Sequence, residues 1–375
     1  MTAVSKTVRL RADELSLSAS RLHDNVKYGL QIRGWLTSKD VEAKDPDTNA
    51  VSYQVVRCKP DPSTVVSFDK VPQAIDATYC LTALGDQKAA MLIASKATDG
   101  RVIYARKGQA IRVSLDASQR KPVAFERISI IAQTDAILDV ILDSAGPGEA
   151  RHQVIEIVAD QGSKVTLTHV VRSRADTFSC WVSGIVHGDA SVMVRHLQMG
   201  ACDSRVHGSI RLAGRGAQGS WLAGSLLARS HRSDHAATIV HEDKDTHSDM
   251  RMRCILLDSS RQIAQGDIHI LPGAGGSAGK QRIESLLLSD DAIVTPIPNL
   301  RIETDDVTCS HGATVGRLDE SAMFYMMSRG LPRPAAERLV IEGFFAPLVN
   351  AQDHDIMDRV QGIIKDTISR PEVSG

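Results

Sequence analysis

The chain has 375 residues, 42% hydrophobic and 24% charged, enough to bury a large core in one extended domain with smaller terminal elements. Lys plus Arg (44) balances Asp plus Glu (45), and only 4% of residues are aromatic, which argues against a general nucleic-acid surface, an anionic-membrane surface or a base-stacking platform. The opening MTAVSKTVRLRADELSLSAS has no apolar leader core, and no run of about 18 apolar residues occurs anywhere, so the expectation is a cytoplasmic protein without nucleic-acid or membrane partners.

Residues 1–87 read as a small N-terminal region of mixed α/β character, loop-rich where DPDTNAVSYQ and CKPDPSTVVSFDKVP punctuate short β-prone runs. Residues 88–317 read as the core. From about Arg101 to Val315 the chain is a series of short Val, Ile and Leu runs broken by Gly, Asp, Ser and Asn, an all-β pattern. The turn clusters QTDA, DQGSK, HGDAS and GRGAQ recur about every 27 residues, which suggests stacked coils of a β-solenoid. A sandwich is the ordinary alternative, but a single sandwich rarely uses some 200 residues without a helical signal.

Six cysteines (Cys58, Cys80, Cys180, Cys202, Cys254, Cys309) are widely spread with no CxxC pair. They are expected to be reduced thiols, those outside the 309 region serving as packing residues. Two stretches imitate sites. GAGGSAGK (Gly273 to Lys280) lacks the Walker glycine at Ala274 and the hydroxyl at Gln281, so a loop between two strands is expected, without nucleotide hydrolysis. SHRSDHAATIVHEDKDTHSDM gathers His231, His235, His241 and His247 with Asp243, Asp245 and Asp249, but lacks the calcium-loop glycine. It reads as a solvated face or, alternatively, a cation site. No GxSxG motif occurs, and the Arg-rich stretch from Arg195 to Arg232 is expected to be a hydrated sheet face or a partner surface. No catalytic residue and no resident metal site are expected.

At Leu318 the period changes from two to that of a helix, beginning a helical domain over residues 318–375. Asp319 can cap a helix through Glu320, Met323, Phe324 and Met327 to a stop at Gly330. Pro334 can open the next helix. Ile356, Val360, Ile363, Ile364 and Ile368 form an apolar stripe on a last one.

The most specific segment joins these regions: DDVTCSHGATVGRLDESAMFYMMSRGLP, from Asp305 to Pro332. If residues 307–316 are extended, Val307, Cys309, His311, Ala313 and Val315 share one face and Thr308, Ser310, Gly312 and Thr314 the other. Cys309 and His311 then stand about 7 Å apart along the strand. By spacing alone they are either a buried core pair or a ligand pair.

This segment resembles the C-terminal signature of the SufB/SufD family of iron-sulfur cluster assembly scaffold proteins, and CSHGATVG followed by LDESAMFYMMSRG looks like the SufD form. SLLLSDDAIVTPIPNLRIETDD, from Ser285 to Asp306, is similar to the family's strand pair leading into it, and the resemblance extends more weakly to about Ala90. Two departures separate the chain from the SufB form. Ala292 stands where a cluster-bearing cysteine follows the SLLM-like run, and Ser310, His311, Gly312 and Ala313 replace an EHEA-like run. The resemblance implies a right-handed parallel β-helix and a non-enzymatic SufD-like subunit that pairs with a SufB-like chain and recruits a SufC-like ABC-type ATPase. It further implies a transient iron-sulfur cluster at the subunit interface, with His311 the first candidate contribution and Cys309 the second, and C-terminal helices that dock the ATPase. Flavin binding is left open. The alternatives are a homodimeric ancestral scaffold and, in a different class, a carbohydrate-active β-solenoid.

Overall fold

A computed structural model of the chain describes residues 99–116, 122–199 and 202–349, with residues 358, 361, 362 and 364 of a further helix. The expected N-terminal region 1–87, with Cys58 and Cys80, and Ile356, Val360, Ile363 and Ile368 of the last expected helix lie outside the described residues.

The described chain winds into a β-solenoid of about eight turns. One wall stacks β2 (Ala110–Asp116), the first part of β4 (Ile137–Ala159), the first part of β5 (Lys164–Val186), β6 (Ser191–Gln198), β8 (Gln218–Leu227), β10 (His247–Leu256), β12 (Ser277–Leu287) and β14 (Val307–Arg317). The other stacks β1 (Asp99–Ala105), β3 (Val123–Ala132), the remainders of β4 and β5, β7 (Asp203–Leu212), β9 (Arg232–His241), β11 (Arg261–Ile270) and β13 (Ile293–Ile302). Because β4 and β5 turn the corner without a break, the two walls form one 14-stranded sheet. Every pairing among the described strands is parallel, which a sandwich of antiparallel hairpins could not give.

Alternation along each strand builds the core. In β10 the sequence HSDMRMRCIL sends Ser248, Met250, Met252, Cys254 and Leu256 into the lumen, and His247, Asp249, Arg251 and Arg253 outward. The same rule places Cys180, Cys202 and Cys254 in the core as free thiols, as expected of packing residues. Large faces small across the lumen. Trp221 is fully buried opposite Gly208, where a Cβ would come within 2.3 Å of the indole.

The turn clusters form one corner. Gly108, Asp135, Gly162, Asp189, Gly216, Asp245 and Gly276 stack above one another, all with positive φ, and each backbone N–H bonds to a carbonyl in the next coil, for example Asp135 to Gln161 and Gly162 to Gly188. Glycine and aspartate alternate for a steric reason. The carboxylate of Asp135 lies 2.5 Å from where a Cβ at Gly162 would be, and Asp189 stands likewise to Gly216. The register repeats every 27 residues in the early coils (Ala110 with Ile137), 29 in the middle (Ser204 with Ser233) and 31 near the end (His247 with Ala278).

Asp319 caps α1 (Glu320–Ser328), accepting from the Ser321 and Ala322 N–H groups, and Gly330 follows it at φ 92°. Pro334 lies in the first turn of α2 (Arg333–Phe345), which runs into a 3₁₀ turn, Ala346–Leu348. Ile341, Phe345, Leu348, Val349 and Ile364 bury against Ile141, Val170, Leu197, Leu222, Leu226, Ile255 and Leu286, all on the outward side of the first wall. Arg253 fixes the contact by donating to the Phe344 carbonyl while pairing with Glu284. The described part of the expected C-terminal helical cap therefore packs on the flank of the coil, and among the described residues nothing covers the last turn, β13 and β14.

Candidate functional site

Among the described residues β14 is the terminal strand of its wall, paired on one side only, with β12. Its in-register neighbours are Gly279 for Cys309, Gln281 for His311, Ile283 for Ala313 and Ser285 for Val315. Those β12 residues face the lumen and are buried, so Cys309 and His311 share the lumen-facing side, as alternation required. Among the described residues no further coil covers them. Val307 and Cys309 are half-buried against the end of the core, whereas His311 and Ala313 are exposed and Val315 is 50% exposed. The buried-core reading of His311 is thereby corrected: its alternation is that of a core residue, but among the described residues the wall ends at its own strand.

Across the mouth, β13 places Pro296 and Pro298 in register with Ala264 and Gly266 of β11. Prolines suit an edge strand because the missing N–H can face outward. The floor is Gln281, only 4% exposed, and neither amide atom has a hydrogen-bond partner among the described residues. Gly266 makes room for it: a Cβ there would lie 2.2 Å from Gln281 Nε2 and 2.7 Å from the Met250 sulfur. Burial raises the Cys309 thiol above its ordinary value, partly offset by the Gly279 backbone N–H. A thiol so placed is largely protonated at neutral pH and becomes a strong ligand when a bound cation displaces the proton.

The decoy segments resolve into ordinary solenoid parts. Gly273 to Gly276 form a turn between β11 and β12, with Gly276 in the corner column, and Ser277 opens β12 as the loop reading anticipated. The His and Asp run is dispersed. His235 and His241 face the lumen, Asp243 and Asp245 lie in a corner, and His247 and Asp249 stand on β10. His241 is held by the Thr246 and Ser248 hydroxyls at 2.8 Å each. Asp249 and Asp245 pair with Arg251 and Arg215. No group of three or more His, Cys, Asp or Glu side chains among the described residues is arranged to hold a metal ion. Ala292, in place of the SufB-type cysteine, is buried at the corner between β12 and β13.

Sequence reasoning missed a polar file inside the lumen. The Glu126 carboxylate accepts from Arg151 and from Gln153, whose amide also reaches Ser144 at 2.9 Å. Ser144 Oγ lies 2.9 Å from His169 Nε2. The rings of His169 and His196 are 4.9 Å apart, those of His196 and His235 5.4 Å, and Trp221 donates to His235 Nε2. Burial holds His169 down to about 3 and His235 to about 4, and His196 well below its ordinary value. All three are neutral at physiological pH. These polar residues occupy lumen positions of β-prone runs, so only the strand parity, read along each whole strand, would have revealed them.

Residues 114–344 match the family model described as SUF system FeS cluster assembly, SufBD core domain. The chain is 27% identical over 281 residues to the iron-sulfur cluster assembly protein SufD of Bacillus subtilis, covering 71% of this chain and 63% of that protein. It is 22% identical over 289 residues to an iron-sulfur cluster assembly SufBD family protein of Staphylococcus epidermidis, covering 75% and 62%. A SufBD family protein of Mycobacterium leprae is 25% identical over 242 residues, which are 60% of this chain and 26% of that one. The match thus spans less than two thirds of the length of these relatives.

Proposed function

The chain belongs to the SufBD family of iron-sulfur cluster assembly proteins, and from that premise we propose that it is a SufD-like scaffold subunit, without catalytic activity of its own, working in the cytoplasm. The observation that carries this reading is the open end of the coil. Two potential ligands, Cys309 and His311, stand there on a strand whose outer edge has no partner among the described residues. A cluster takes about four ligands, so two donors at an open edge leave positions for groups from another subunit. The cluster is cargo here, assembled and passed on.

The partner we propose is a SufB-like chain. Of the two open edges, β13 is blunted by Pro296 and Pro298, whereas β14 carries no proline and offers a row of backbone groups for strand addition. A second copy of this chain could add in the same way, which is the homodimeric alternative. For the SufC-like ATPase the helical domain is the proposed dock. α1 buries only Met323 and exposes Phe324 (74%) and Tyr325 (60%) beside Met327, aromatic anchors of the kind that dominate interfaces. Family membership favours cluster assembly over the carbohydrate-active solenoid.

Native mass spectrometry after co-expression with a SufB-like chain and an ABC-type ATPase tests the reading. The expected result is a complex containing all three chains. A chain that stays alone in the presence of both, or that hydrolyses ATP by itself, overturns it, and exclusive self-association selects the homodimer.

A further inference from the structure

A histidine that binds a metal ion through one ring nitrogen almost always gives the other N–H to an acceptor, and that acceptor fixes both tautomer and ring orientation. Gln281 is the side chain placed to be this acceptor for His311. The two residues are direct ladder neighbours on parallel strands, with backbones about 4.8 Å apart and side chains on the same lumen-facing side. The Gln281 amide is buried, yet neither its oxygen nor its nitrogen has a partner among the described residues, a costly arrangement unless the group is used. Space has been kept for it, since any side chain larger than glycine at position 266 would collide with the amide. An amide presents a carbonyl and an NH₂ on one rotatable group, so rotation about its last bond can turn the carbonyl oxygen toward an imidazole N–H to accept from it.

We infer that Gln281 is a positioning residue that accepts the second ring N–H of His311, fixing its tautomer so that the other nitrogen faces the open mouth. The functional consequence rests on the assembly reading proposed above; the tautomer effect does not.

The test uses the full chain labelled with ¹⁵N-histidine, with His311 assigned by its loss in His311→Ala, and then the assembled complex loaded with ferrous iron and sulfide. In the iron-free chain, Gln281→Leu, which suits an apolar lumen, should move the His311 ring toward the tautomer mixture of a free imidazole. Gln281→Glu, which keeps an acceptor, should preserve the parent ratio. In the complex, Gln281→Leu should lower iron affinity about tenfold or more while subunit stoichiometry is kept. An unchanged tautomer ratio in Gln281→Leu overturns the inference, whatever happens to the iron. If Leu is not tolerated, Gln281→Met provides the same readout. A shifted tautomer together with full iron content in His311→Ala would uphold the positioning contact and overturn the assigned role of His311.

Discussion

His311 can be removed without opening the core, because its ring is exposed on the last strand. His311→Ala should therefore leave no cavity and cost only its hydrogen bond to Gln281, on the order of 1 kcal/mol, a drop of a few degrees in melting temperature, while the assembled complex loses iron and visible absorbance. A stable complex with normal iron would assign the ligand role to Cys309 instead. The lumen histidines behave in the opposite way. His169, His196 and His235 have folded-state midpoints below the ordinary 6.5 because burial disfavours the charged ring. As pH falls below 6.5, protons bind the unfolded chain first and stability declines. The decline continues to about 4 for His235 and about 3 for His169, and for His235 alone it amounts to on the order of 3 kcal/mol. Urea midpoints measured from pH 7.5 to 4.5 should fall steadily below 6.5. A flat profile would mean that these rings are not held neutral by burial.

At the scale of elements, the corner column separates two costs of replacing glycine. At Gly108 (φ 69°) nothing lies within 4 Å of the position a methyl group would take, so Gly108→Ala meets only left-handed backbone strain, about 1 kcal/mol. At Gly216 (φ 72°) the same methyl would strike the Asp189 carboxylate at 2.5 Å, so Gly216→Ala should cost roughly 2–3 kcal/mol. Equal losses in urea unfolding would refute the idea that each aspartate fills its neighbour's Cβ space. The helical domain is a poor target for deletion. Removing residues after 317 would uncover Leu222, Leu226, Ile255 and Leu286 and invite aggregation. Phe324→Ser with Tyr325→Ser leaves that contact alone and should weaken ATPase binding at least tenfold by titration calorimetry, with no change in thermal stability. Undiminished binding would move the dock away from α1.

At the scale of the whole described chain, two walls form a coil packed on one flank by the helices, with no described strand beyond β13 and β14. An uncovered final coil is an aggregation hazard unless a partner completes it. Val315→Lys places a charge on the exposed lumen side of β14, where Val315 is 50% exposed. It should abolish association with the SufB-like chain on size-exclusion chromatography and improve the solubility of the isolated subunit. Continued co-elution would place the seam elsewhere.

Much of this was legible in residue order because the signals are local. Period-two alternation, turn clusters near 27 residues, the Asp319 cap and the shared face of Cys309 and His311 each depend on neighbours a few positions apart, and sequence encodes those directly. The Ser310 to Ala313 wording and Ala292 likewise pointed to the SufD form without coordinates. Burial of His311 was not legible, because the same alternation describes an inner strand and a terminal one, and only the stacking order shows that no described strand stacks beyond β14. Gln281 was invisible as a partner for His311 because they are 30 positions apart and meet only through the ladder. The lumen histidines looked like part of a surface run until parity, fixed by the whole wall, turned His235 and His241 inward. What a residue does along its strand was decided by sequence; what it does across coils was decided by register, a property of the folded stack alone.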